Sequence, residues 1–432
     1  MLVNKVPPDK NLIGADDLFK FLGALAMVTC HCFIFLVRGL PADRAPQVSM
    51  DINPHFFLPG FMSMALPALA GYGFKKFLNP YLADGYLLNL KTENIFKLLV
   101  GLILLDAIKN GFLFGFIHAF KWDVLAFIVA TLLILMVVLK KAGMKGLWYL
   151  VALNFLVIVA YGVLPVWVSL SDSFVKWALS FPKLFLFLPF SVLAPGLFWW
   201  IWNFDIQGTK QKKYKQLLGA LLSVAIAWNV FQSQIHEPYF WASLLKLPLS
   251  IFIQLGQGGG HIWPLFPWML LVLCGFIFAY YEEWIFKRWQ NALVVYVLAQ
   301  VVFNSVLFGQ FKAFRSAVSV ADFFSSSFFE PRWQVLSLMM TFFISAMIGY
   351  HYLLRWIRLR STFIKSYSNG ILLFYFVHLI VAYVLLAPSI KLFPGLSVYT
   401  LYPIVVNIIS YFFFAGLQPI FEKNIQIKLV KR

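Results

Sequence analysis

Long apolar runs separated by short polar segments recur from one end of the chain to the other. Most runs are about 20 residues long, the length that an α-helix needs to cross the hydrocarbon core of a bilayer. The pattern predicts an all-α, polytopic membrane helical bundle of about 10–12 transmembrane helices, with residues 1–432 forming a single domain. The predicted spans lie near residues 18–37, 54–74, 95–119, 122–139, 147–168, 184–202, 216–235, 263–281, 292–311, 334–354, 370–387 and 399–419.

The composition excludes a soluble globular protein. Hydrophobic residues make up 61% of the chain and charged residues only 12%, whereas soluble domains carry about 25% charged residues. The three cysteines, Cys30, Cys32 and Cys274, all lie in apolar runs. Cys30 and Cys32 point to different faces of a helix, so we expect neither a disulfide nor a metal site.

The chain has a net charge of +18, and its basic residues are distributed unevenly over the loops between the predicted spans. Of the 35 Lys and Arg residues, 23 fall in one alternating set of loops and 10 in the other. Basic residues concentrate in cytoplasmic loops, so the bias predicts that both termini are cytoplasmic. The same explanation removes the need for a nucleic-acid partner and leaves membrane lipids as the natural surroundings.

The first apolar run contains two ionisable side chains that share one helix face. Lys20 and His31 are eleven residues apart, which is about three turns and roughly 16 Å along a helix. In one interpretation, Lys20 reaches the lipid headgroups and His31 bonds a neighbouring helix. In the other, Lys20 forms a cationic mouth that attracts phosphates, and His31 accepts a proton deeper inside.

The run DDLFKFLGALAMVTCHCF, from Asp16 to Phe33, resembles the opening helix of the integral-membrane acyltransferase-3 family. That helix carries an acidic residue, then a basic residue, and a histidine after ten further positions. Asp17, Lys20 and His31 match these three positions. The stretch from Ala24 to Met27 is also similar to the conjugative-pilin acetyltransferase family.

Three later stretches resemble the same group of families, in the expected order. PALAGYGF (67–74) looks like the second helix of the acyltransferase-3 family, with Ala70 in place of the usual serine. HIWPLFPWMLLVLCGFIFA (261–279) resembles a Pro- and Trp-containing helix of heparan-glucosaminide acetyltransferase relatives. LLFYFVHLIVAYVL (372–385) looks like a late Tyr-x-x-His helix that these families share.

The resemblance implies a reaction and a setting. An acyl group, most often acetyl, would move from cytoplasmic acyl-CoA (acetyl-CoA) to a hydroxyl or amine of an extracytoplasmic acceptor such as a glycan or a lipid-linked sugar. Lys20 would lie near the coenzyme A phosphates, and His31 would act as the base or carry the acyl group. The implied protein is a multi-pass acetyltransferase of the bacterial inner membrane that needs no metal.

Secondary candidates lie outside the first span. His118 and Asp123 form a polar group at the predicted outer end of two spans, where an acceptor would dock. His261 follows three glycines and would line the same mouth. His378 lies in the middle of its span, where a second catalytic role and an interhelical hydrogen bond are both open.

The alternative to an enzyme is a transporter or flippase for a lipid-linked or anionic substrate. Such a protein would use the same central polar residues as binding sites. Covalent turnover separates the two classes, because only the enzyme would cleave acyl-CoA.

Overall fold

The computed structural model describes residues 12–39, 65–83, 85–87, 92–114, 124–163, 212–221, 265–306, 333–393 and 397–424. These residues are almost entirely helical, which confirms the all-α prediction for the part described. The helices are α1 (Ala15–Gly39), α2 (Leu66–Leu78), α3 (Thr92–Phe114), α4 (Val124–Val163), α5 (Leu265–Tyr280), α6 (Glu282–Lys287), α7 (Trp289–Val306), α8 (Trp333–Ile357), α9 (Thr362–Asn369), α10 (Ile371–Leu392) and α11 (Ser397–Asn424).

Short elements complete the described residues. A single 3₁₀ turn, Asn79–Tyr81, leads into a two-stranded antiparallel hairpin. Its strands are β1 (Leu82–Ala83) and β2 (Tyr86–Leu87). Residues 212–221 form one further helical stretch.

Within the described ranges, three helical segments are long and apolar enough to cross a membrane: Val124–Ile158, Ile371–Leu392 and Val398–Pro419. The outward face of α11 is apolar as well, since Ile404, Phe412 and Phe413 are each about half exposed or more. A helix that is apolar on every side suits a lipid environment rather than water. The membrane character expected from the sequence therefore has support in these helices.

The predicted spans 122–139 and 147–168 are joined in one helical element, α4, which is interrupted at Gly143. Gly143 has φ 60° and ψ −151°, a conformation that only glycine adopts readily. Lys140, Lys141 and Lys145 flank this residue. The sequence predicted a loop over residues 140–146. The interruption lies within that range but is shorter than predicted, because a single glycine is enough to interrupt the helix.

The second predicted span, 54–74, has a different boundary in the structure. Helix α2 extends to Leu78, so that Lys75 and Lys76 lie in its last turn instead of in a loop. Basic side chains are favourable there because they face the partial negative charge of the helix C-terminus. Residues 54–64 lie outside the described residues.

Contacts divide the chain into two compact units, and the single-domain prediction for residues 1–432 stays a prediction. The first unit contains α1, α9, α10 and α11, together with α8 from residue 338 onward. Within it, α10 packs along α11, and α1 lies against both of them and against α9. Helices in lipid associate through close packing and interhelical hydrogen bonds, and this unit has both.

Aromatic side chains fill the interior of the first unit. Phe19 of α1 has no exposed surface, and its ring packs edge-on against Phe343 of α8, with centroids 5.5 Å apart. Tyr367 of α9 is similarly enclosed, 4.3 Å from the ring of Phe374 and 5.2 Å from that of Phe21. These contacts fix α1 against α8 and α9.

The second unit contains α3, α4 and the hairpin, and α4 packs against both α3 and β2. Gly71 of α2 and Val272 of α5 also belong to this unit. A Cβ atom on Gly71 would lie 1.8 Å from the backbone oxygen of Val272, so only glycine allows this close approach.

Candidate functional site

The two histidines of the first unit contact each other directly. Nδ1 of His31, on α1, lies 2.9 Å from Nε2 of His378, on α10. The two rings are nearly parallel, with an interplanar angle of 22° and centroids 5.1 Å apart. His378 has no exposed surface and His31 is partly buried, so the pair lies within the packed helices.

The hydrogen bonds of His378 determine which nitrogen of each neutral ring carries the hydrogen. Nδ1 of His378 lies 3.0 Å from the backbone carbonyl oxygen of Phe374, one turn earlier in α10. A carbonyl oxygen only accepts, so this nitrogen donates and Nε2 of His378 is an acceptor. His31 therefore donates through Nδ1, and the basic lone pair of neutral His31 lies on Nε2.

This arrangement fixes the orientation of the His31 ring. His378 accepts the hydrogen bond from His31 Nδ1 and is itself held by the Phe374 carbonyl. An imidazole that a second group holds in one tautomer can act as a general base through its other nitrogen. The ring of Tyr375 lies edge-on to both imidazoles, 6.1 Å from His31 and 5.6 Å from His378.

Asp17 forms a clamp at the start of α1. Its Oδ2 atom accepts a hydrogen bond from Lys365 Nζ at 2.5 Å and one from the Gly14 amide at 2.9 Å. Its Oδ1 atom accepts from Ser368 Oγ at 2.6 Å. Asp17 is 3% exposed, so these three donors satisfy a carboxylate that lies almost out of contact with solvent.

The Asp17 clamp keeps this carboxylate ionised. Asp17 precedes the apolar stretch of α1, which begins at Leu18. Burial by itself raises the pKa of the Asp17 carboxyl, but the hydrogen bonds from Lys365, Ser368 and the Gly14 amide outweigh it and hold the pKa below its usual value. The clamp therefore ties α1 to α9, and α9 leads through Gly370 into α10.

Local sequence explains the position of α9. Ser361 is its N-cap, in an extended conformation, and its side chain accepts a hydrogen bond from the Ile364 amide at 3.2 Å. Just before it, the chain pairs with the segment preceding α1, where the Ile13 amide donates to the Leu359 carbonyl at 3.1 Å. These bonds place Lys365 and Ser368 over Asp17.

Lys20 lies in the first turns of α1 and forms an ion pair with Asp16. Its Nζ atom is 3.1 Å from Asp16 Oδ2, and both side chains are partly exposed. Because α1 is one helix over Ala15–Gly39, the spacing of Lys20 and His31 corresponds to roughly 16 Å along the axis. Asp16 is thus an acidic partner of Lys20 that the sequence pattern did not predict.

Other predicted residues have different outcomes. His118, Asp123 and His261 lie outside the described residues. Lys365 and Ser368 were not predicted as site residues. Lys365 was expected in a cytoplasmic loop, and Ser368 was not singled out. Their only sequence signal is a lysine and a serine three residues apart on α9, too common a spacing to stand out.

The four stretches that carry the family resemblance form two pairs. The stretches containing His31 and His378 meet in the first unit through those two side chains. The stretches containing Gly71 and Val272 meet in the second unit through backbone contact. Among the described residues, no group of three histidine, cysteine or carboxylate side chains could hold a metal ion.

Comparison with known proteins identifies no relative of this chain. No protein-family model matches the chain, and neither a curated protein nor a solved structure is significantly similar to it.

Proposed function

We propose that this chain is a multi-pass membrane acyltransferase of about 10–12 transmembrane helices, with His31 as its general base. The observation that carries the proposal is the hydrogen bond between His31 and His378. These histidines are 347 residues apart in the sequence, and their hydrogen bond joins α1 to α10. Ionisable side chains within apolar helices are costly to bury, so the presence of such a pair is itself an indication of function. The orientation of this pair, with the lone pair of His31 on Nε2, suits proton abstraction.

The reaction is transfer of an acyl group from a thioester to an alcohol or amine. The acceptor oxygen or nitrogen forms a bond to the acyl carbon, and its proton passes to Nε2 of His31. The carbon–sulfur bond then breaks, and the thiolate of coenzyme A leaves with the proton that His31 returns. His378 holds the imidazolium of His31 in place between these steps, as the orienting group of a catalytic pair does.

The donor is acetyl-CoA and enters from the cytoplasmic side, where the charge bias of the loops puts the start of α1. A phosphate of the donor replaces Asp16 as the partner of Lys20, which is partly exposed and so accessible to it. The acceptor is an extracytoplasmic glycan or lipid-linked sugar, and the protein belongs to a bacterial inner membrane. These assignments rest on the family resemblance and on the loop charges.

The test is transfer of label from radiolabelled acetyl-CoA in membranes that contain the expressed protein. The matched samples are the wild type, His31→Gln, and Ser389→Ala as a control on α10. We expect the wild type and the control to release coenzyme A and to label a glycan or glycolipid fraction. His31→Gln keeps a polar side chain of similar size but has no basic lone pair, so it releases coenzyme A about 10²- to 10⁴-fold more slowly.

Two results would contradict the enzyme. One is a wild-type protein that does not bind acetyl-CoA and releases no more coenzyme A than membranes without the protein. The other is full turnover by His31→Gln. Binding is measured on the same detergent-solubilised samples, which separates a missing donor site from a missing acceptor.

A transporter or flippase is the second candidate, and one observation favours it. Helix α3 carries a buried ion pair, with Lys109 Nζ 2.7 Å from Asp106 Oδ1. Charged pairs inside apolar helices occur along substrate and ion pathways. This reading predicts uptake or flipping of a lipid-linked anion without cleavage of acyl-CoA, and loss of that transport in Asp106→Asn.

A further inference from the structure

Helix α11 carries a buried hydroxyl group with unused hydrogen-bonding capacity. Ser410 has no exposed surface, and its Oγ atom has no hydrogen-bond partner within the described ranges. Serine and threonine in helices commonly donate to the backbone carbonyl one turn earlier. Thr29 of α1 does so, with its Oγ1 atom 3.0 Å from the Leu25 carbonyl oxygen. Ser410 makes no such bond.

Contacts on either side of Ser410 show which part of α10 lies at its level. Four residues after it, the ring of Phe414 lies 5.9 Å from the ring of Phe374. Eight residues before it, the hydroxyl of Tyr402 donates to the Ala382 carbonyl. The two helices therefore run antiparallel, and the stretch of α10 at the level of Ser410 lies between residues 374 and 382.

That stretch contains His378, whose ring stacks on Phe374 with centroids 5.6 Å apart. Ser410 belongs to the buried face of α11 that also includes Val406 and Phe414, at intervals of four residues. Helix α11 packs against both α10 and α1, which carry the two histidines. The hydroxyl of Ser410 is thus buried at the level of the His31–His378 pair.

Two further polar atoms near this level have no partner among the described residues. One is Oδ1 of Asn407, on the turn of α11 before Ser410, and the other is the hydroxyl of Tyr367. The ring of Tyr367 lies 5.6 Å from that of Phe414. Buried polar atoms are nearly always paired, so these three atoms are groups whose hydrogen bonds a bound molecule would complete.

We propose that Ser410 is a substrate-binding residue whose hydroxyl donates a hydrogen bond to the carbonyl oxygen of the acyl thioester. The proposal rests on the acyltransferase function proposed above. Negative charge develops on that oxygen when the acceptor attacks the acyl carbon. A buried, preorganised donor stabilises such charge strongly, whereas the same donor is unfavourable when nothing is bound.

The test compares Ser410→Ala, on α11, with Ser389→Ala, which makes the same change at a buried serine on α10. We expect Ser410→Ala to lower kcat for acetyl transfer by about 10²-fold, the usual effect of removing one such donor. The KM for acetyl-CoA should change less than about twofold, because the bond strengthens in the transition state. The thermal midpoint should stay the same or rise, since an unpaired buried hydroxyl has been removed.

A vibrational measurement reports on the hydrogen bond itself. In the His31→Gln background, which slows turnover, the thioester carbonyl stretch of bound acetyl-CoA should lie at lower frequency with Ser410 than with alanine. An unchanged stretch, or a lower thermal midpoint with kcat unaffected, would overturn the proposal. If His31→Gln slows transfer while Ser410→Ala keeps full kcat, only this proposal fails. Absence of transfer in the wild type removes it together with the proposed function.

Discussion

Two buried pairs of ionisable side chains differ in how far apart their members lie in the sequence. Asp106 and Lys109 are three residues apart on α3 and form an ion pair at 2.7 Å with almost no exposure. His31 and His378 are 347 residues apart and lie on different helices. A local pair neutralises itself wherever its helix packs, whereas a long-range pair exists only when two helices are correctly placed. The first arrangement suits stability, and the second suits chemistry.

The largest effect in this comparison should come from His31→Gln. The substitution removes the basic lone pair, so acetyl transfer should fall by about 10²- to 10⁴-fold, the range for a lost general base. The thermal midpoint should change little, because glutamine still reaches His378. The measurement is the initial rate of coenzyme A release at saturating acetyl-CoA, normalised to folded protein.

The role of His378 can be separated from that of His31 by two substitutions. His378→Phe removes the acceptor that holds Nδ1 of His31, and we expect about a 10²-fold loss in kcat. His378→Gln retains an acceptor oxygen, so its loss should be distinctly smaller. Equal losses in the two variants would mean that His378 acts by filling space and not by orienting His31.

A smaller effect is expected at the start of α1. Lys20→Ala removes a cation and should raise the KM for acetyl-CoA by up to about tenfold with little change in kcat. Lys20→Arg keeps the charge and should be closer to the wild type. Asp16→Asn removes the competing anion at 3.1 Å, so the KM should fall. The measurement is steady-state kinetics over a range of acetyl-CoA concentrations. A fall in kcat with an unchanged KM in Lys20→Ala would contradict a donor-binding role for Lys20.

The smallest effect on transfer is expected at the local pair. Asp106→Asn leaves Lys109 buried beside a neutral partner and should destabilise the fold by about 3–5 kcal/mol. The double variant Asp106→Asn, Lys109→Met should recover most of that loss. Activity per folded molecule should stay within about twofold in both, as judged by rates divided by the folded fraction in denaturant titrations. Loss of transfer per folded molecule in the double variant would contradict a purely structural role for the pair.

Within the described ranges, the sequence predicts the long helices well because apolar runs of this length have few alternatives, whereas the short helices α6 and α9 were expected to be loops. It also places Lys20 and His31 on one face of α1, which depends only on local helix geometry. Even the interruption of α4 at Gly143 lies among the three lysines that marked a loop. These features all arise from residues close together in the chain.

The sequence does not predict which helices meet. His378 stands in its apolar run without a charged neighbour, and nothing in that run identifies His31 as its partner. Asp17 is recognisable as part of a motif, yet its partners Lys365 and Ser368 lie about 350 residues later, in a helix of eight residues. Ser410 is one serine among many, and only its burial without a partner distinguishes it.

A double-mutant cycle between His31 and His378 tests the central claim most directly. The rate of coenzyme A release is measured for the wild type, His31→Gln, His378→Phe and the double variant. If His378 acts only by orienting His31, the double variant should be no slower than His31→Gln alone, because residues that act as a unit are strongly non-additive. Losses that multiply in the double variant would contradict the account, since the two histidines would then contribute independently.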